Sequence, residues 1–287
     1  MFPRTTIDNV SVSRFVIGTN WFLGFSHTTA ARDALIRATM TPERMADIIE
    51  VFLREGVDTI MGALTAADRV FAPVVGGLRQ AVAEAEQRVG RKCILISTPT
   101  IDIRNTPEGM AEVERTFDST AEAGATICMP HQFCTDRLVD TFSRRINNMD
   151  VYCKMIRDRG MIPGLSTHMP ETIVYADETD LDIGTYISIY NAAGFLMHLE
   201  VEWVHRIIWN AKHPVITIKP MAAGRLTPLV GLAFNWSTIR DIDMVTVGTS
   251  SPDEAREVIE LSYSILERRA ENLQLQETRS KQTVKPQ

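Results

Sequence analysis

The chain has 287 residues, 45% hydrophobic and 23% charged, the composition of an ordinary globular protein. Its 30 Lys and Arg against 36 Asp and Glu leave a net charge of −6, which argues against a nucleic-acid surface, where basic residues cluster. The opening MFPRTTIDNV lacks the apolar centre of a signal peptide, and no apolar run approaches the ~18 residues of a membrane span, so a cytoplasmic protein acting on a small molecule is expected.

Residues 4–12 read as a short hairpin turning at Asp8-Asn9. Eight short β-rich runs follow, at 15–18, 57–61, 93–98, 125–129, 161–166, 185–190, 215–219 and 244–247. Amphipathic helical stretches separate them, among them 42–55, one opening at Thr106-Pro107-Glu108, 200–212 and 251–269. Several open on Ser or Thr followed by Pro, an N-cap before a first-turn proline. Gly56, Gly124 and Gly160 each stand between a helix and the next strand, where a left-handed cap is wanted.

Strands alternating with helices imply parallel strands and right-handed crossovers. Eight such units predict an α/β fold, a (β/α)₈ TIM barrel with a short N-terminal hairpin, rather than an open doubly wound sheet. One domain, residues 1–271, is expected, followed by a polar aperiodic tail over 272–287. None of Cys93, Cys128, Cys134 and Cys153 lies in a CxxC pair, so buried thiols are expected rather than a disulfide or a structural zinc site, and no metal is expected.

A barrel of this kind carries its active site in the loops that follow the strands. The first strand is followed by Thr19, Asn20 and Trp21, with His27 further on, and the third ends in Ser97 and Thr98. After the fourth come His131 and Gln132, after the fifth Ser166, Thr167, His168 and Glu171, and after the sixth Tyr190 and Asn191. The seventh supplies Lys219 and Arg225, the eighth Thr249 and Ser250. His131 can polarise a carbonyl or move a proton, or simply be hydrogen-bonded in the rim. Lys219 can form a Schiff base or pair with a carboxylate or phosphate. Small residues in KPMAAGRL and the helix start in GTSSPDEA favour a bound phosphate; the alternative is that Ser251 merely caps its helix. His168 and Glu171 could form an acid–base pair or ligate a metal, but three-residue spacing in a loop favours plain rim residues, and His198, His205 and His213 read as solvated.

The sequence resembles the aldo/keto reductase superfamily over residues 10–265. VSVSRFVIGTN resembles the family's opening hairpin and first strand, CMPH its fourth-strand motif, GLST its fifth, and IYNAA the end of its sixth. KPMAAGRL and VGTSSPDEAREVIE resemble its cofactor loops. The resemblance implies an NADP(H)-dependent oxidoreductase acting on a small carbonyl compound, with His131 as the catalytic histidine. It places Ser166, Thr167, Tyr190, Arg225, Thr249 and Ser250 around the cofactor. Asn20, Trp21, Gln132, His168 and Asn191 are then expected to face the substrate. The catalytic tetrad of Asp, Tyr, Lys and His is incomplete: Met61 stands for the aspartate, Pro99 for the lysine, and the first tyrosine of the chain is Tyr152. Ile187 and Thr167 replace the glutamine and asparagine that hold nicotinamide. Two other readings stay open. One is a non-redox lyase, aldolase or isomerase on a phosphorylated or sugar-like substrate, using Lys219 and His131. The other is a ligand-binding barrel without catalysis. A homo-oligomer is compatible with each reading.

Overall fold

In the computed structural model of the chain, residues 1–65, 72–276 and 281 are described. The hairpin pairs β1 (Arg4–Ile7) with β2 (Val10–Ser13) antiparallel, turning at Asp8-Asn9. Next come α1 (Ala30–Thr39) and α2 (Pro42–Arg54), flanked by the strands β3 (Phe15–Gly18) and β4 (Thr59–Gly62). Then come α3 (Ala72–Val89), β5 (Ile94–Ser97), α4 (Pro107–Glu122), β6 (Ile127–Cys128) and α5 (Gln132–Leu138). A second hairpin, β7 (Val139–Asp140) and β8 (Arg145–Ile146), leads into α6 (Met149–Asp158) and β9 (Ile162–Ser166). The chain continues through α7 (Glu171–Glu178), β10 (Thr185–Ile189), α8 (Val201–Asn210) and β11 (Val215–Ile218). It closes with α9 (Pro228–Thr238), β12 (Met244–Val247) and α10 (Pro252–Glu267).

Strands β3, β4, β5, β6, β9, β10, β11 and β12 form a closed parallel barrel in chain order. Its strands fall within the runs read from the sequence to within a residue or two at each end, and β6 shrinks to two residues. Alternation along the strands divides the apolar side chains into two clusters. Val16, Ile96, Ile127, Ile162, Ile187 and Ile216 meet inside the barrel, while Phe15, Ile17, Ile60, Leu165 and Tyr186 face the helices. Ile7 and Val12 of the hairpin join the interior cluster, so the hairpin plugs the N-terminal end and leaves the C-terminal end to bind. Inside, a Cβ on Gly164 would come within 2.8 Å of the Met129 methyl, so that glycine makes room for the methionine.

The caps behave as the residue types require. Thr41, Thr106 and Ser251 each accept a backbone N–H three residues on, and Pro42, Pro107 and Pro252 open their helices. Gly56, Gly124 and Gly160 have φ of +85, +83 and +76. Helix α1 and the β7–β8 hairpin interrupt the simple strand–helix alternation. Residues 272–276 have no regular structure, and 277–280 and 282–287 of the expected tail lie outside the described residues. Among the described residues no helix is long and apolar enough to cross a membrane.

Candidate active site at the barrel mouth

Lys219 follows the last residue of β11. Ile218 packs with the barrel interior, so strict alternation would turn Lys219 toward the helices. Its backbone instead adopts the left-handed conformation, φ +60, which redirects the side chain into the mouth. Such a conformation is costly for a residue with a Cβ and persists where surrounding structure imposes it, often at functional sites. Burial lowers the Lys219 amine to a pKa of about 8.

Three histidines, His27, His131 and His168, lie close enough to feel the charge of this amine. His27 sits in the loop after β3, also left-handed at φ +60, with its Nε2 3.4 Å from Lys219 Nζ. Asn20 Nδ2 lies 2.8 Å from the same nitrogen. His131 caps α5: its Nδ1 accepts the Phe133 N–H at 3.2 Å, so in the neutral ring the proton sits on Nε2. Burial first and the Lys219 charge second hold His131 below the ordinary imidazole value. His168, just past β9, is pushed down to about 3 by burial, then by Lys219, His131, His198 and His27. His27 falls to about 4 through burial and Lys219, with Asp33 opposing. The cluster is therefore a set of neutral imidazoles around one partly deprotonated amine at neutral pH.

This arrangement makes acid destabilising. The unfolded chain binds protons on these histidines near pH 6.5, whereas the folded chain refuses them until about pH 4 at His27 and about pH 3 at His168. Unfolding at pH 5 is accordingly expected to take up protons, and stability to fall as pH drops from 6.5. Calorimetry in buffers of different ionisation enthalpy measures that uptake; its absence at pH 5 would show the histidines to be freely solvated.

Asp136, on α5, was not singled out by sequence. It accepts Thr167 Oγ1–H at 2.5 Å and the His168 backbone N–H at 3.1 Å. Burial raises its carboxyl pKa against these hydrogen bonds. Its polar neighbours come from just past β9, 31 and 32 residues away in sequence, which is why no local motif marks it. His27 was seen as a loop residue but given no role, for the same reason.

The remaining residues divide. Trp21 packs on the β12 end, where a Cβ on Gly248 would come within 3.0 Å of its ring, and Arg32 stacks on it at 5.3 Å. Gln132 opens α5 beside His131. Thr249 is buried, its Oγ1 without a hydrogen-bond partner among the described residues. Asn191 spends its carboxamide on Phe195, donating to its carbonyl at 3.0 Å and accepting its N–H at 2.9 Å. Arg225 is exposed, stacked on Phe195 at 4.0 Å.

The nucleotide positions implied by the resemblance fit poorly. Tyr190 turns outward, its hydroxyl donating to Thr238 Oγ1 at 3.0 Å and its ring 4.9 Å from Phe234, so no face is left to stack in the mouth. Strand alternation explains this, since Ile187 points inward and Tyr190 is three residues on. Ser250 gives both its N–H and its hydroxyl to Glu254 Oε2, at 2.7 and 2.8 Å, so a carboxylate already occupies the helix start proposed for phosphate. Thr167 is committed to Asp136. Ser166 is buried at the end of β9. In this structure Tyr190, Thr167 and Ser250 are each engaged with other protein groups.

Among the described residues no group of three His, Cys, Asp or Glu side chains is placed to hold a metal ion. A groove of about 530 Å³ between α7 and α8, lined by Ile173, Trp203 and Ile207, lies on the outer wall and holds none of the clustered groups at Lys219. Convergence of perturbed titratable groups marks the mouth as the better candidate.

The sequence matches no family model and no curated protein. Similar solved structures exist. A Pseudomonas aeruginosa protein provisionally described as an aldo-keto reductase superposes with a TM-score of 0.62 at 14% identity, over 92% of this chain and 95% of that one. A glycerol dehydrogenase from Gluconobacter oxydans gives 0.58 at 13%, over 96% and 98%. An aldose reductase from Giardia lamblia gives 0.52 at 11%, over 96% and 89%. At such identities the likeness establishes fold alone. The chain thus has the barrel fold seen in aldo-keto reductase structures.

Proposed function

We propose that this protein is an enzyme acting on small carbonyl compounds, with Lys219 as the nucleophilic amine of a lyase, aldolase or isomerase-type reaction. The observation that carries the reading is the Lys219 amine itself, half-buried in the barrel mouth 3.4 Å from His27 Nε2, with a pKa of about 8. Free amine attacks the carbonyl carbon, and the carbonyl oxygen takes up protons and leaves as water. The resulting protonated imine draws electrons from the neighbouring carbon, so a C–C or C–H bond there can break. His131, with its proton on Nε2, is the hydrogen-bond donor that polarises the carbonyl oxygen and steadies the alkoxide formed on attack.

Borohydride trapping with a panel of small aldehydes and ketones, phosphorylated and not, followed by peptide mapping, tests this reading. A reduced adduct at Lys219 is expected, forming faster as pH rises through about 8. Adducts spread over surface lysines and absent from Lys219 would defeat it.

A second reading, an aldo-keto reductase-like oxidoreductase using NADP(H), is favoured by the shared fold and by His131 at the end of its fourth barrel strand. It predicts a change in NADPH fluorescence on titration with the protein. Unchanged fluorescence at high micromolar NADPH removes it.

A further inference from the structure

His27 has two neighbours on one ring nitrogen: an amide nitrogen that can only donate and an amine that is mostly protonated in the resting enzyme. The amide nitrogen of Asn20 lies 2.8 Å from Nε2, and the Lys219 amine 3.4 Å from it. Nε2 is therefore the acceptor and the ring proton sits on Nδ1. Phe25 packs edge-on against the ring, centroids 4.6 Å apart, which limits its rotation. The loop is anchored nearby: Asp33 accepts the Ser26 N–H at 2.8 Å and its hydroxyl at 2.5 Å. His27 and Lys219 thus face one another from two loops, each held in a left-handed backbone conformation.

We infer that His27 is the proton-transfer partner of Lys219: its Nε2 takes the proton that the amine must lose on bonding to a carbonyl carbon, and returns it to the departing hydroxyl. The inference rests on the carbonyl reading above and extends it. When the nitrogen of Lys219 bonds to the carbonyl carbon it becomes cationic, and one N–H proton passes to His27 Nε2. Two protons reach the oxygen in all: the one that the resting Lys219 ammonium releases to solvent before attack is taken up by the alkoxide, and the one held by the His27 imidazolium goes to the resulting hydroxyl, so the C–O bond breaks and water leaves. The third proton of the original ammonium stays on the nitrogen of the protonated imine. In the resting enzyme the proton stays on the amine, because Lys219 titrates near 8 and His27 near 4. Bond formation narrows that gap, since a carbinolamine ammonium is a stronger acid than the lysine it came from and loss of the lysine charge raises the affinity of His27 for a proton. Besides Lys219, the titratable groups that act on His27 are Asp33, and His168 across the mouth. Asn20 is a positioning residue that fixes the tautomer.

The test compares two reactions at the same nitrogen in wild type and His27→Gln. One is imine formation with glycolaldehyde, trapped by cyanoborohydride; the other is dinitrophenylation by fluorodinitrobenzene, which needs no acid catalysis. Both are read by peptide mass spectrometry at Lys219. In His27→Gln, imine formation is expected to slow by about 10²-fold, the scale of general acid–base catalysis, with dinitrophenylation nearly unchanged. Equal loss in both reactions, or loss in neither, overturns the proposal. A wild type that takes the dinitrophenyl group but never an imine at Lys219 defeats the carbonyl reading and this proposal together. Imine formation indifferent to His27 defeats this proposal alone. Nitrogen-15 NMR gives a second measure without any carbonyl. The His27 ring should show a bare Nε2, and its pKa should climb from about 4 toward the ordinary value in Lys219→Met. A His27 pKa that ignores Lys219→Met overturns the pairing.

Discussion

Lys219→Met is expected to abolish the trapped adduct and to lower activity by on the order of 10⁴-fold or more, the scale of removing a covalent nucleophile. The same substitution is expected to make the protein more stable. The folded lysine releases its proton at about pH 8 and the unfolded one near 10.5, and burial is the cause. Below pH 8 the ammonium is charged in both states and the full cost of burying it is felt. As pH rises from 8 to 10.5 the folded state sheds the charge while the unfolded state keeps it, and the cost fades. Methionine, of similar length and uncharged, avoids that cost, worth at most about 3 kcal/mol at pH 7. Urea unfolding of both proteins at pH 7 and pH 10 checks the sign: the stability gap should narrow at the higher pH. Lys219→Met that is destabilised at pH 7 would show the amine to be a structural partner rather than a strained functional group.

Asp243→Ala is expected to cost about 3–5 kcal/mol, the penalty for stripping one member from a buried ion pair. Asp243 is fully buried immediately before β12, at the end of the barrel opposite Lys219. Its Oδ1 accepts the Val215 N–H at 2.8 Å and Arg240 Nη2 at 2.7 Å. Its Oδ2 accepts the Arg240 backbone N–H and Nε, both at 2.9 Å. Arg240 also donates to the carbonyls of Ala211 and His213, and Arg14 donates to those of Asp243 and Arg240. One carboxylate thereby ties the starts of β11 and β12 to the segment before β3. Removing it leaves a buried guanidinium and the N–H that opens β11 unmatched. The measurement is urea unfolding, and a loss below about 1 kcal/mol would mean that water replaces the carboxylate. Reactivity of Lys219 in the folded fraction should not change, because the network sits at the plugged end.

The largest legible features were those with local causes. The run Phe15–Gly18 is strand because β-branched and aromatic residues fit a pleated, half-buried surface. Thr41-Pro42 starts a helix because threonine caps and proline lacks the N–H that a first turn leaves unused. Eight such alternations, with right-handed crossovers, allow few closures, which is how the barrel and its working end could be read ahead of the structure. The same positional rule put His131 and Lys219 on one rim.

Side-chain direction was less legible. Tyr190 was expected in the mouth by motif, yet alternation from Ile187 sends it to α9. Lys219 escapes that same alternation only through its left-handed backbone, a conformation that neighbouring loops impose and no residue type announces. Ser250 looked free to hold a phosphate, but Glu254, one turn along, fills the position.

From its residues alone this chain settled the eight alternating strands and helices and hence a closed parallel barrel preceded by a hairpin, because hydrophobic period, caps and crossover handedness act over a few residues at a time. Only the tertiary structure decided which polar groups meet. Asp136 finds Thr167 and His168, and His27 finds Lys219 across 192 positions of chain, because loop paths and burial, not sequence neighbours, set those contacts and their proton affinities.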